Sequence, residues 1–369
     1  MLGRIQAILG KFDWALLAAM VLLFAIGFAA IWSVALSRTP PDLTTVKKQA
    51  IAFILGIILI FILASINYRI LRGYGFLIGI VALALLVIVL VFGKTIRGTT
   101  GWFGIAGINF QPVEFVKFAV VVFLAKYLAD HPRDSFRMRE FLISSAAVGA
   151  VVILILLQPD LGSAAIIIAT WLGLLAFARI RPRYIISLIC SGLLVVLVSW
   201  AFILAPYQKE RIMTFVDSGR DPLGRGYNVR QSIIAVGSGQ LFGRGLGFGS
   251  QSQLRFLPES HTDFIFAVIA EELGFFGVLL VMAFFGMLFL RLLRAVEFAR
   301  DDFTAFLALG ILIVFFVQFI VNVGMNLGVV PVTGIALPFL SYGGSALLMS
   351  MFMMGVAESI AARRPLARR

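Results

Sequence analysis

The stretch LPESHTDFIFAVIAEELG, residues 257–274, sets Glu259, Asp263, Glu271 and Glu272 at the head of an apolar run that reads as membrane-spanning. Ionisable side chains at membrane depth are costly, so by default they face a cavity and have a use there. Ser260 and Thr262 are N-cap candidates for a helix starting at this point. Asp263 then falls in the first helical turn, where the helix dipole favours an ionised carboxylate. Position alone leaves two readings level: a catalytic carboxylate, or a second capping one. Glu271 lies about 12 Å further along the axis. It and Glu272 read as groups paired inside a helix bundle.

Other polar groups stand at comparable places. In INFQPVEFVKF, Gln111 precedes a helix whose early position suits Pro112. Glu114 and Lys117 are spaced i, i+3, share a face and can pair, either structurally or in a site. In LQPDLG, Asp160 sits in a tight turn and caps the helix that follows. Gln318, Asn322 and Asn326 form a stripe at i, i+4, i+8, which predicts hydrogen bonds between helices. LPFLSYGGSALL, containing Ser341, has small residues that permit close helix packing or close ligand approach.

The elements that must position these groups follow from composition. The chain has 369 residues, 61% of them hydrophobic and 13% charged, with a mean hydropathy of +1.04. This is a polytopic membrane protein in composition, not a soluble one. Apolar runs fall at about 14–36, 47–68, 75–93, 112–130, 141–157, 160–178, 184–205, 262–290, 303–329 and 338–361. The predicted fold is all-α: a single integral membrane domain, 1–369, of ten transmembrane helices with one long extracytoplasmic loop at 206–261 between the seventh and eighth. The first apolar run is too long for a cleaved signal and reads as an uncleaved span. The lone Cys190 excludes an intrachain disulfide or a cysteine metal site, and His131 and His261 are far apart in sequence.

Basic residues recur at every second loop, from Arg4 and Lys11 through Arg69 and Arg72 to Arg363 and Arg364. That side, with both termini, is predicted to be cytoplasmic. The net charge of +13 therefore reads as orientation in the membrane rather than nucleic-acid binding. The long outer loop breaks the pattern with Lys209, Arg211, Arg220, Arg225, Arg230, Arg244 and Arg255, which points to an anionic ligand at the outer face. Gly243, Gly245 and Gly247 lack a strand–helix context for dinucleotide binding, and read as permitting tight turns and close backbone approach to a ligand. Tyr227–Val236 is predicted as a short amphipathic interfacial helix. P-loop, zinc-ligand and nucleophile-elbow patterns are missing from the sequence.

The motifs FQPVEFVK, LQPDLG, GYNVRQSIIAVGSGQLFGRG, LPESHTDFIFAVIAEELG and LPFLSYGG, in this order among ten spans, resemble the SEDS family (shape, elongation, division and sporulation) over essentially the whole chain. The compact length and short termini look more like its rod-shape branch, acting in cell elongation, than its division branch. The resemblance implies a peptidoglycan glycosyltransferase of the bacterial cytoplasmic membrane. It would polymerise lipid II, a disaccharide-pentapeptide on undecaprenyl pyrophosphate, at the outer face. A class B penicillin-binding protein is the implied partner, its single span packed against spans eight and nine.

The family's essential aspartate falls on Asp263, and its functional Glu and Lys fall on Glu114 and Lys117. An inverting displacement needs a general base on the attacking hydroxyl, the role this assigns to Asp263. A pyrophosphate leaving group needs positive charge. Lys117, Arg211, Arg225, Arg230 and Arg244 are candidates, with Gln111, Asp160 and Ser341 as further substrate-binding positions. Glu114 would position Lys117 or a divalent cation, Mg or Mn, which the family is reported to use. Two positions depart from the family pattern: Val113 stands where serine is frequent, and Gly101 precedes Trp102 where a basic residue is common. Two rival readings are a lipid II flippase, which needs access from both faces, and a scaffold for the penicillin-binding protein.

Overall fold

In the computed structural model, the described residues are 10, 12–37, 41–96, 98–105, 108–131, 136–178, 184, 186, 192 and 225–363. Apart from residues 184, 186 and 192, the expected seventh span and the first part of the long loop lie outside them. The helices are α1 (Trp14–Leu36), α2 (Thr44–Ser65), α3 (Ile70–Phe92), α4 (Pro112–Asp130), α5 (Met138–Leu156), α6 (Leu161–Phe177), α7 (Arg225–Ser238), α8 (Ser250–Gln253), α9 (Ile265–Glu297), α10 (Asp302–Asn326) and α11 (Gly344–Ala361). Seven of them are long and apolar enough to cross a membrane. The chain is thus a mostly helical, multi-pass membrane protein.

Helix α4 is the hub. It packs against α3, α10 and α6 and is buried on nearly every face from Pro112 to Leu128. A helix apolar all round belongs in such a place. Glu114 and Lys117 sit on its first turns. Around it, α11 packs on α2, α9 on α1 and α10, and α5 on α6. Isoleucines and leucines such as Ile51, Ile54, Leu77 and Ile80 face outward from α2 and α3. In a bilayer that is the lipid-facing side, and no polar face is needed there.

Periodicity did not predict strands between α3 and α4, yet the segment holds an antiparallel three-stranded sheet. Its strands are β1 (Lys94–Ile96), β2 (Thr99–Ile105) and β3 (Ile108–Phe110), in the order β1-β2-β3. Trp102 pairs with Lys94, and Phe103 with Phe110. Gly101 lies against the Gln158 side chain, so a larger residue at 101 would meet that amide.

Helix α9 is interrupted at Gly274, whose φ of 66° and ψ of −162° are non-helical. Main-chain groups freed by the break are taken up by the segment after α7. The N–H of Arg244 and of Gly245 donate to the carbonyls of Glu271 and Glu272 at 3.0 and 2.9 Å. The N–H of Phe275 and of Phe276 donate to Gln240 and Leu241 at 2.9 and 3.2 Å. Gly243 and Gly274 face each other with no room for a side chain on either. Gly243 thus makes its close backbone approach to α9.

Glu271 and Glu272, both fully buried, fasten the same segment. Glu271 accepts the N–H groups of Gln251 and Ser252 at 2.8 and 3.1 Å, at the start of α8. Oε1 of Glu272 accepts from Ser33 Oγ at 2.7 Å, Gln253 Nε2 at 3.0 Å and Ser252 Oγ at 3.2 Å. The expected pairing inside the bundle is therefore with hydroxyls, an amide and backbone. The interfacial helix expected at 227–236 is α7, and it packs onto α9 and α10. There Ser232 Oγ donates to the Asn326 carbonyl at 2.8 Å.

Candidate active site

The turn of residues 254–264 carries Asp263. Helix α9 begins at Ile265 with Phe264 as N-cap and no side-chain cap. Asp263 therefore stands just outside the helix, not in its first turn, and neither Ser260 nor Thr262 caps it. The Thr262 hydroxyl turns back to Glu259, at 3.3 Å from the carbonyl and 3.1 Å from Oε2. What replaces the local cap comes from α10. Asn326 Oδ1 accepts the Ala267 N–H at 3.1 Å. The amide nitrogens of Asn322 and Asn326 both donate to the Asp263 carbonyl, each at 3.0 Å. The polar stripe on α10 does form hydrogen bonds between elements, and two of them end on Asp263.

The segment of residues 327–343, between α10 and α11, forms the facing wall. Its Tyr342 N–H donates to the His261 carbonyl at 2.8 Å. The Ser341 hydroxyl donates to the Thr262 carbonyl at 2.7 Å and accepts the Leu337 N–H at 2.8 Å. Buried and engaged at both ends, Ser341 acts on the geometry of the Asp263 turn. Gln49 of α2 donates to the Ser341 carbonyl at 3.0 Å and accepts the Gly343 N–H at 3.2 Å. Gly334, at φ 74°, brings its backbone beside the Asp263 carboxylate: a β-carbon there would stand 3.7 Å from Oδ2. Two non-glycine residues in this frame, Glu259 (φ 53°) and Phe339 (φ 67°), are left-handed. Such backbone costs about 1–2 kcal/mol per residue and persists where the surroundings over-determine it, as they do at active sites.

The other expected residues lie on neighbouring elements. Lys117 Nζ donates to Glu114 Oε1 at 2.8 Å, with both side chains buried. Gln111 is the extended N-cap of α4 and partly exposed. The preceding strand is tied to α11 by Ser345 Oγ donating to the Asn109 carbonyl at 2.8 Å. Asp160 caps α6, accepting from the Ser163 N–H at 2.9 Å and its hydroxyl at 2.7 Å. Gly162, two residues on, packs against Thr333 and Ile335 beside Gly334. The α6 cap and the Asp263 turn thus border the same wall.

Arg230 and Arg244 are exposed, and Arg244 Nε reaches the Ser238 carbonyl at 3.4 Å. Arg225 opens α7, and Arg211 lies outside the described residues. Among the described residues no group of three or more His, Cys, Asp or Glu side chains comes together to hold a metal ion. The pairing of Glu114 with Lys117 leaves that carboxylate a poor cation ligand, so the described residues do not by themselves compose a metal centre.

Multi-pass helices around the Asp263 carboxylate, with a buried Glu–Lys pair and exposed arginines on nearby elements, define a class: membrane-embedded proteins with a polar site at one end of the bundle. The chain belongs to the FtsW/RodA/SpoVE family of cell cycle proteins, which it matches over residues 11–365. It is 35% identical over 360 residues to the peptidoglycan glycosyltransferase MrdB of Escherichia coli strain K12, covering 95% of this chain and 94% of that one. Identity to a probable peptidoglycan glycosyltransferase FtsW of Trichlorobacter lovleyi is 36% over 368 residues, covering 97% and 95%. Among solved structures, a chain from a peptidoglycan synthase complex, studied for the coordination of polymerization and crosslinking, superposes with a TM-score of 0.81 at 31% identity, covering 95% of this chain and 97% of that one. The rod shape determining protein RodA of Thermus thermophilus superposes with a TM-score of 0.71 at 29% identity, covering 96% and 97%.

Proposed function

We propose that this protein is a peptidoglycan glycosyltransferase that polymerises lipid II at the outer face of the bacterial cytoplasmic membrane. The chain crosses that membrane ten times with both termini in the cytoplasm, and it serves the rod-shape branch of the family in cell elongation. The observation that carries the reading is the Asp263 carboxylate. It stands outside α9, beside a glycine, on a turn whose backbone is pinned from two other elements. The glycosyltransferase relatives, matched over nearly their whole length, support the reaction class.

The chemistry follows from the groups present. Asp263 takes the proton of a sugar 4-hydroxyl as its oxygen bonds to the anomeric carbon of the second lipid II. The bond from that carbon to pyrophosphate breaks, and undecaprenyl pyrophosphate leaves with the electron pair. The configuration inverts from α to β. General-base assistance of this kind contributes roughly 10²–10⁴-fold. Charge on the leaving group is met by cationic groups: the Lys117 ammonium at the start of α4, and the arginines of the 206–261 segment. The implied partner is a class B penicillin-binding protein that crosslinks the new strand. Synthase-complex membership of the structural relative supports that assignment.

The test is lipid II polymerisation by the purified protein with its penicillin-binding partner, comparing wild type with Asp263→Ala at matched folding and complex formation. Polymer from wild type and none from the variant is the expected result. Equal polymer from both would make Asp263 a structural residue only. No polymer from wild type, where a control polymerase works, would favour the flippase instead.

A further inference from the structure

The ladder of α9 starts with the Val268 N–H donating to the carbonyl of the N-cap, Phe264, at 3.2 Å, which leaves the Ala267 N–H without an acceptor inside the helix. One bond further back, Ala267 would donate to the Asp263 carbonyl and bring Asp263 into the helix. A side chain takes the place of that bond. The Asn326 amide stands between the two groups, taking the Ala267 N–H on Oδ1 at 3.1 Å and giving its own N–H to the Asp263 carbonyl at 3.0 Å. Asn322, one turn earlier on α10, gives a second N–H to the same carbonyl at 3.0 Å and another to the Ile335 carbonyl at 2.7 Å. Ile335 follows Gly334, which borders the Asp263 carboxylate. Both asparagines are fully buried, and Asn326 is itself held from α7 through Ser232.

We propose that Asn322 and Asn326 are positioning residues for the reaction, with Asn326 a wedge that stops the ladder of α9 from extending back to Asp263 and so holds the Asp263 carboxylate outside the helix. The inference rests on Asp263 being the general base. A purely structural role would ask only that the buried main-chain groups be satisfied, and direct closure of the Ala267–Asp263 bond would do that without any asparagine. Insertion of a side chain into the ladder is a known way to distort a helix locally. Its effect here is to set the place of one carboxylate. Consecutive carbonyls of the turn are fixed as well: His261 by Tyr342, Thr262 by Ser341, and Asp263 by two amides at once. Both lone pairs of the Asp263 carbonyl oxygen are thereby occupied. A base has to stand within hydrogen-bond reach of the proton it removes, and a displacement of 1 Å at a reacting group can cost about 10²-fold.

The experiment measures kcat and KM for lipid II with the intact protein and its penicillin-binding partner, in Asn326→Ala, Asn322→Ala and Asp263→Ala, each checked for thermal midpoint and complex formation. Asn326→Ala is expected to let the ladder close and draw Asp263 into the helix. The expected loss in kcat is about 10- to 100-fold, with KM within about threefold and the melting midpoint little changed. Asn322→Ala removes one donor and leaves the wedge, and its kcat loss is expected to be the smaller. If Asn326→Ala does not fold, an unchanged kcat in a folded Asn322→Ala overturns the proposal, and a loss in kcat at constant KM upholds it. Full activity in a folded Asn326→Ala alongside an inactive Asp263→Ala sinks the wedge alone. Full activity in Asp263→Ala sinks the general-base reading and the wedge with it. A kcat loss that tracks a matching fall in melting midpoint or in complex yield also overturns the proposal.

Discussion

Gly274→Ala tests whether the break in α9 is built into the fold. Gly274 has φ 66° and ψ −162°, a region open essentially to glycine alone, where another residue costs of order 1–3 kcal/mol. The added methyl would meet the Gly243 nitrogen, the Leu241 carbonyl oxygen and the Phe242 carbonyl carbon, all main-chain atoms. None of these can rotate away, so overpacking adds about 1–3 kcal/mol. The sum is roughly 2–6 kcal/mol if the break is kept. The escape is to straighten α9, which rejoins its own ladder but strips the 240–245 segment of its bonds to Glu271, Glu272, Phe275 and Phe276. Gly286→Ala is the control: it lies in the same helix with nothing within 4 Å of the new methyl, and is expected to gain about 0.5–1 kcal/mol from helix propensity. The assay is thermal unfolding of the detergent-solubilised protein, with limited proteolysis of the 239–257 segment. Expected is a lowered midpoint and faster cleavage for Gly274→Ala, and neither for Gly286→Ala. Equal midpoints and equal cleavage in the two variants would refute the reasoning.

Lys117→Met leaves the Glu114 carboxylate buried without its partner, at a cost of about 3–5 kcal/mol; Glu114→Gln/Lys117→Met together should recover much of the thermal midpoint without recovering polymerisation. Asp160→Ala removes the α6 cap on Ser163 and should cost about 1 kcal/mol by thermal unfolding. Asp301 caps α10: burial works to raise its pKa, but the Thr304 hydroxyl and N–H, with Arg69 and Arg72, outweigh this and hold it below the ordinary value. A depressed folded pKa means stability present above the unfolded value of about 3.9 and lost as pH falls through the folded pKa. Asp301→Asn should therefore melt lower than wild type at neutral pH, with the gap closing on acidification; a gap independent of pH would show that the carboxylate's charge is not what stabilises the cap.

The helices were legible because lipid imposes one rule, that backbone groups be satisfied within the segment. Trp14–Leu36 and Pro112–Asp130 have the ends that hydropathy and Pro112 gave them. Asp160 as a cap and the asparagine stripe of α10 were readable from spacing. What could not be read was whatever depends on a partner distant in sequence. The start of α9 misled because Ser260 and Thr262 offered a local cap, whereas the group that takes the Ala267 N–H belongs to Asn326. The interruption at Gly274 was hidden because it is stabilised by residues 240–245, and a lone glycine in an apolar run carries no sign of them. The small residues around Ser341 allowed either close helix packing or ligand approach, and the partner of its hydroxyl, the Thr262 carbonyl 79 residues away in sequence, left no local sign. The three-stranded sheet is made of short strands rich in threonine and glycine, with little alternation to mark them.

The broken helix also bears on how the chain is made. Helix α9 has 33 residues, about 50 Å if straight, and a helix of that length meeting a core of about 30 Å has material to spare at one end. Open main-chain groups at such a depth cost several kcal/mol each. Residues 240–245, which satisfy them, precede α9 in sequence. A ribosome delivers this patch to the membrane before the helix that needs it. The nascent α9 can therefore break at Gly274 on arrival. In a circular permutant with α9 ahead of residues 225–253, the same helix would enter lipid unassisted. It would be pressed to insert straight, and the outer segment would arrive to find its docking groups already used.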